Sequence, residues 1–184
     1  MTETNSVAFR RTREEDIPFY ASMLRDREWV EGTGLRCEDF MEDDVLRRFI
    51  TPHTDKEIKW LAYIKETQAP IGFCHFKEIQ EGLVEITGGL VKERQDTGIG
   101  IECYVVCIHN YFQLGLCDNL QVTIWQENLR SLKMNLSMGF ELVGLTRMDS
   151  RKFDVLTLTR DHFYTANLTR RILRVYGNKS IQLA

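Results

Sequence analysis

The sequence predicts an α/β (α+β) fold: a mixed, largely antiparallel sheet of about seven strands with helices on both faces. Three observations predict it. Residues 57–92 hold three consecutive strand-like stretches parted by turn-like residues 66–70 and by Glu81-Gly82, the pattern of an antiparallel meander. Residues 101–115 are almost wholly apolar except for Glu102, His109 and Gln113, which form one narrow polar stripe, as in a helix lying on a sheet. Only that helix joins neighbouring strands in βαβ fashion, so the sheet is mixed rather than parallel.

The elements follow in the order β-α-α-β-β-β-α-β-α-β-β. A first strand spans 7–10. Thr12 and Glu15 have capping-box spacing and open a helix with Ile17, Tyr20 and Leu24 on one face. A loop holding Trp29, Gly32 and Gly34 leads to a second helix, with Phe40, Met41, Val45, Phe49 and Ile50, stopped before Pro52. Strands at 57–65, 71–77 and 83–92 precede the apolar helix. A strand at 119–125 follows, with Val122 and Ile124 inward and no clear inner face for Leu120. The helix at 129–138 carries Leu129, Leu132 and Leu136 on one face, and Gly139 stands where a left-handed cap is wanted. Strands at 140–146 and 153–160 form a closing hairpin. The arginines at 170, 171 and 174 mark a tail of no evident role.

The chain of 184 residues has 43% hydrophobic and 28% charged residues and a net charge of -3. These values suit one globular domain over 1–184, with its core at about 7–163 and a tail at 164–184. No basic block is long enough to track a nucleic acid backbone, and no apolar run approaches a membrane span. The polar, acidic segment 1–6 is no signal or transit peptide, so a cytoplasmic location is expected. Five cysteines without a C-x-x-C pair indicate neither a zinc site nor a disulfide framework. No cluster of ligating residues implies a metal.

The most informative segment is Gln95-Asp96-Thr97-Gly98-Ile99-Gly100, between a strand and the apolar helix. Glycines allow a tight turn with inward-pointing amides, and the helix N-terminus adds partial positive charge, so the segment suits a phosphate. It is neither a Walker loop nor a dinucleotide fingerprint, since no Gly-Lys-Ser/Thr follows and Cys103 stands at the third glycine position.

In context, the segment resembles the phosphate loop of the GCN5-related N-acetyltransferase (GNAT) superfamily, Gln/Arg-x-x-Gly-x-Gly/Ala, matched by Gln95, Gly98 and Gly100. Asn128-x-x-Ser131, followed by Gly139-Phe140 and Gly144, looks like the fourth-helix motif of the branch that acetylates ribosomal-protein N-termini. Arg10-x-x-Arg13-x-x-Asp16 and Asp154-x-Leu156-x-Leu158-Thr-Arg160 look like the same branch. The resemblance implies acetyl-CoA as co-substrate and a small-molecule or peptide amine as acceptor, with no metal, nucleic acid or membrane partner, in a monomer or homodimer. It implies donor contacts at Leu90, Val91, Lys92, Gln95, Asp96, Thr97, Gly98, Ile99, Gly100, Asn128 and Ser131.

The chemistry implied is direct attack of a neutral amine on the thioester. Glu85 is the candidate base, acting through water, and Ser131 the candidate aid to thiolate departure. Two departures stand out. Asp96 places a negative charge beside the pyrophosphate seat, and Asn135 stands where many members carry a tyrosine acid. Each residue has a plainer reading: Asn128 as a helix cap, Ser131 as a packing residue, Glu85 as an exposed strand residue and His75 as a structural histidine. A non-catalytic acyl-CoA sensor and a nucleotide-binding module remain as alternative functions.

Overall fold

The computed structural model describes residues 7–176, so segment 1–6 and the end of the tail lie outside the described residues. Seven strands form one sheet in the order β1-β2-β3-β4-β5-β7-β6. They are β1 (Val7–Arg11), β2 (Ile58–Ile64), β3 (Pro70–Gln80), β4 (Leu83–Leu90), β5 (Asn119–Trp125), β6 (Glu141–Met148) and β7 (Arg151–Thr159). All neighbours are antiparallel except β4 and β5, the pair joined by the long apolar helix.

The helices are α1 (Ile17–Leu24), α2 (Arg27–Glu31), α3 (Asp43–Ile50), α4 (Ile99–Gln113), α5 (Leu129–Ser137), α6 (Arg160–Thr165) and α7 (Asn167–Tyr176). Two apolar clusters result. In one, Tyr20, Leu24, Trp29, Leu46 and Ile50 of α1–α3 cover Leu61 and Phe73. In the other, Val105, Ile108, Tyr111 and Phe112 of α4 pack with Trp60, Phe76, Ile86, Val122 and Ile124. Tyr111 lies flat on Phe76, ring centroids 4.0 Å apart. Leu120 joins this cluster, fully buried.

Several local expectations are corrected. The capping pair sits one residue later than Thr12 and Glu15: the Arg13 amide donates to Asp16 Oδ2 at 2.8 Å, while the Thr12 hydroxyl donates to the Ile50 carbonyl. Asp16 also takes both terminal nitrogens of Arg10, at 2.8 and 2.6 Å, which ties the end of β1 to α1. The stretch around Trp29 is not all loop. Asp26 caps it by accepting from the Trp29 amide, and one short helix, α2, forms. On α5 the three leucines do not act as one buried face: Leu132 packs against the core, but Leu129 is 57% and Leu136 45% exposed, while Asn135 is 1% exposed. The tail continues as the amphipathic α7, which seats Ile172 in the core.

Cys74, Cys103, Cys107 and Cys117 are buried free thiols and Cys37 is half-buried. Burial pushes the Cys103 thiol up to about 12, so it stays protonated and is no nucleophile.

Candidate active site

The site begins where β4 and β5 part. Their parallel register covers only Leu83–Glu85 against Asn119–Gln121, and beyond Glu85 β4 has no partner on that side. The free edge can be assigned from alternation. The Val91 amide donates to the Ile71 carbonyl at the β3 side, 2.9 Å away. Adjacent residues of a strand point their polar groups in opposite directions, so Leu90 and Gly88 face the gap. Val91 is therefore committed elsewhere, its carbonyl also accepting from the Arg94 amide. Of Leu90 and Val91, both expected to touch the donor, only Leu90 turns its backbone groups toward the gap.

The Leu90 carbonyl is not bare. It accepts from the Trp29 indole Nε1 at 2.8 Å and from Gln95 Nε2 at 3.1 Å. Trp29, which the sequence left in a loop, packs its indole against Gly89, so close that a side chain there has no room. Trp29 thus forms one wall of the gap.

The turn before α4 forms the opposite end. Gly98 adopts φ 83 and Asp96 φ 61, both left-handed, which glycine and aspartate tolerate best. A Cβ on Gly98 would meet nothing within 4 Å, so open space lies above the first turn of α4. The first amides of a helix have no partner within it, and α4 is long enough to aim its dipole there. Thr97 donates to the Arg94 carbonyl at 2.8 Å, closing the turn, and Ile99 is buried beneath it. This seat fits a phosphate group. Among the described residues no cluster of His, Cys, Asp or Glu could hold a metal ion.

Lys92, also predicted to touch the donor, is turned toward α2. Its ammonium lies 2.8 Å from Glu28 and 2.9 Å from Asp26, and these bonds hold it above the usual lysine range. Arg130 is the cation the sequence reading missed. It sits 3.1 Å from Asp96 and 3.4 Å from Gln95 Oε1, so the aspartate beside the seat has a counter-charge. Its position two residues after the Asn128 cap, at the start of a helix facing the loop, was the available signal.

The N-terminus of α5 forms the remaining wall. Asn128 Oδ1 accepts from the Ser131 amide at 3.0 Å, as a helix cap should. Its amide nitrogen donates to the Gly32 carbonyl at 2.7 Å. Cap and tether coexist in one side chain. Residues 32–35 are thereby strapped across to β5 and β7, where Arg151 donates to the Gly34 and Leu35 carbonyls at 2.7 and 2.9 Å. Gly34 is required there, since a Cβ would lie 2.7 Å from that of Trp125.

Glu85 lies at the closed end of the gap, half-buried, with Thr123 donating to its Oε1 at 3.0 Å. Its register partners are Lys77 on β3 and Gln121 on β5. Alternation places Thr87 and Gly89 on the same sheet face, the face covered further along by α1–α3. His75 is buried on that face, with Tyr20 Oη 2.9 Å from its Nε2. Burial, with Lys59 a lesser cause, holds His75 well below the usual imidazole range. It is neutral and structural, as expected. The acidic residues ahead of α3 and at its start are engaged in ion pairs: Arg27 meets Glu38, Arg36 meets Asp39, Arg25 meets Asp43 and Arg47 meets Asp44.

The geometry is a cleft between diverging parallel strands, with an anion seat at one end and a carboxylate at the other. Solved structures share the fold. The spermidine N-acetyltransferase from Vibrio cholerae, in complex with CoA and spermine, aligns with TM-score 0.75 at 13% identity, covering 88% of this chain and 99% of that one. AAC(6')-Ib in complex with ribostamycin and coenzyme A aligns with TM-score 0.71 at 18% identity, covering 88% and 98%. A putative phosphinothricin N-acetyltransferase aligns with TM-score 0.70 at 16% identity, covering 84% and 98%. No curated protein sequence gives a significant match. Among the described residues no helix is long and apolar enough to cross a membrane. The profile of the acetyltransferase (GNAT) domain matches residues 6–141, the greater part of the chain. The chain belongs to the GNAT acetyltransferase family.

Proposed function

We propose that this protein is an N-acetyltransferase that moves an acetyl group from acetyl-CoA to a primary amine by direct attack in a ternary complex. One observation carries the reading: β4 and β5 part after three paired residues, opening a cleft that leads to the Gly98 turn and the N-terminus of α4. A thioester-bearing arm fits between the strands with its pyrophosphate over Gly98, Ile99 and Gly100, beside Gln95, Asp96, Thr97 and Arg130. The cleft-facing amides of Gly88 and Leu90 are suited to hold the charge that develops on the carbonyl oxygen.

Glu85, held by Thr123, receives the proton of the attacking amine through water. Ser131, on the first turn of α5, hydrogen-bonds the departing sulfur. The acceptor approaches on the face bearing Glu85 and Thr87, beneath the strap at 32–35. The Asn128-x-x-Ser131 motif supports a place near the ribosomal-protein N-terminal acetyltransferases, with a peptide or small-molecule amine as acceptor. We take 1–184 as one domain that extends through α7.

The test is acetyl-CoA binding by calorimetry, followed by an acceptor panel of N-terminal peptides, polyamines and amino sugars. Saturating acetyl-CoA raises the melting temperature, since the ligand binds the folded state. Absence of both heat and melting shift refutes the reading. The second reading is an acyl-CoA sensor without turnover, favoured by Asn135 at the position of the family's tyrosine. It predicts binding with no product from any amine.

A further inference from the structure

Asn135 is the fully buried residue of α5, 1% exposed, and it is polar. Its amide nitrogen donates to the Ser131 carbonyl at 2.9 Å and to Ser131 Oγ at 3.3 Å. The amide orientation follows from the first bond, because a flipped side chain would set two carbonyl oxygens together. Its own Oδ1 is buried without a hydrogen-bond partner among the described residues. A buried carbonyl in that state is unfavourable, and an apolar side chain of the same size removes the penalty. Stability therefore does not account for an asparagine here. What the asparagine does provide is a donor to Ser131 Oγ. A hydroxyl that accepts a hydrogen bond on one side has its proton directed to another, and no described residue accepts from Ser131.

We propose that Asn135 is a positioning residue that holds Ser131 Oγ as an acceptor, so that the Ser131 proton is presented to the sulfur leaving from the thioester. The inference rests on the role given to Ser131 under the proposed function. In the step, the amine nitrogen bonds to the acetyl carbon and the C–S bond breaks with its electron pair on sulfur. The amine's proton leaves by water and Glu85. The Ser131 hydroxyl keeps its proton and hydrogen-bonds the sulfur as negative charge develops there. Asn135 touches no reacting atom. It takes over, through Ser131, the place of a side chain that would act on the sulfur directly.

The experiment is a double-mutant cycle of Asn135→Leu and Ser131→Ala, read as kcat and KM for acetyl-CoA and as melting temperature. Leucine fills the same volume and removes the orphan carbonyl, so Asn135→Leu melts no lower than wild type. It lowers kcat on the order of 10-fold with KM for acetyl-CoA unchanged, because the lost interaction matters only as the sulfur leaves. Ser131→Ala lowers kcat on the order of 10²-fold, and adding Asn135→Leu to it lowers kcat no further. If Ser131→Ala is slow but Asn135→Leu turns over like wild type, this inference falls and the proposed function stands. The same holds if the two losses multiply, since Asn135 then acts independently of the hydroxyl. If Ser131→Ala itself keeps wild-type kcat, the role given to Ser131 fails and takes the inference with it. Asn135→Ala, which cannot overpack, repeats the measurement should the leucine variant melt lower than wild type. Wild-type kcat in the alanine variant overturns the inference.

Discussion

Gly89→Ala tests whether Trp29 is a fixed wall of the cleft. A Cβ at position 89 would stand 2.8 Å from Trp29 Cη2, closer still to Cζ2, and 3.2 Å from Phe73 Cε1. Carbon atoms rest at about 3.5–4.0 Å, so the ring must retreat by roughly 1 Å. It is not free to do so. Trp29 is 8% exposed, its amide is bonded to Asp26, and its indole nitrogen is bonded to the Leu90 carbonyl. Overpacking of this kind costs about 1–3 kcal/mol, and loss of the indole bond adds about 1 kcal/mol. At about 2–4 °C per kcal/mol for a domain of this size, the melting temperature should fall by roughly 4–16 °C. The same displacement narrows the donor cleft, so acetyl-CoA affinity falls with it. The assay is thermal melting of Gly89→Ala alone and in combination with Trp29→Val. Removing the ring should abolish most of the penalty of the added methyl. A melting temperature within 1 °C of wild type, a change on the order of a few tenths of a kcal/mol, would falsify the claim that Trp29 is held against β4.

Gly98→Val should weaken coenzyme A binding at least tenfold by calorimetry, a difference of about 1.4 kcal/mol. The new side chain strains a turn at φ 83 and occupies the open space over α4; unchanged affinity would leave the turn as only a helix start. Glu85→Gln should lower turnover by about 10²-fold at pH 7 with acetyl-CoA binding intact. The rate should recover toward pH 9 as an alkylamine of pKa near ~10.4 supplies more neutral acceptor; wild-type turnover across that range removes Glu85 as the base. His75 stays neutral in the folded protein because burial holds it well below its usual value. Below about pH 6.5 the unfolded chain binds a proton that the folded one refuses, so stability falls on acidification by up to about 1.4 kcal/mol per pH unit. Urea melts at pH 7.5 and 5.5 should show a smaller loss for His75→Gln than for wild type, and equal losses would sink the assignment.

Much of the fold was legible because it is written in local pattern. The seven strands were placed within a few residues, and the strand at 119–125 coincides with β5. Strand alternation and turn residues act over short stretches, so they survive in one dimension. The apolar helix after a Gly-x-Gly turn was legible for the same reason. The misreadings share a cause as well. Leu129, Leu132 and Leu136 share a helical face, yet they do not all face the core, because the facing of a helix is set by what it packs on, which its own spacing does not encode. Thr12 has the spacing of a cap, yet its hydroxyl is claimed by Ile50, 38 residues away.

The site divides along the same line. By itself the sequence determined the glycine turn before α4, the cap at Asn128 and the family, since each rests on residues a few positions apart whose backbone geometry is nearly set by their own types. Only the tertiary structure decided that Leu90 faces the gap while Val91 faces β3, that Lys92 turns to Glu28, and that Arg130 answers Asp96. It alone brought Trp29 to Leu90, 61 residues away, and Thr123 to Glu85, 38 residues away. Such contacts depend on strand register and on where two parallel strands cease to pair, and a one-residue slip of β4 or β5 would turn Glu85 or Thr123 to the opposite face.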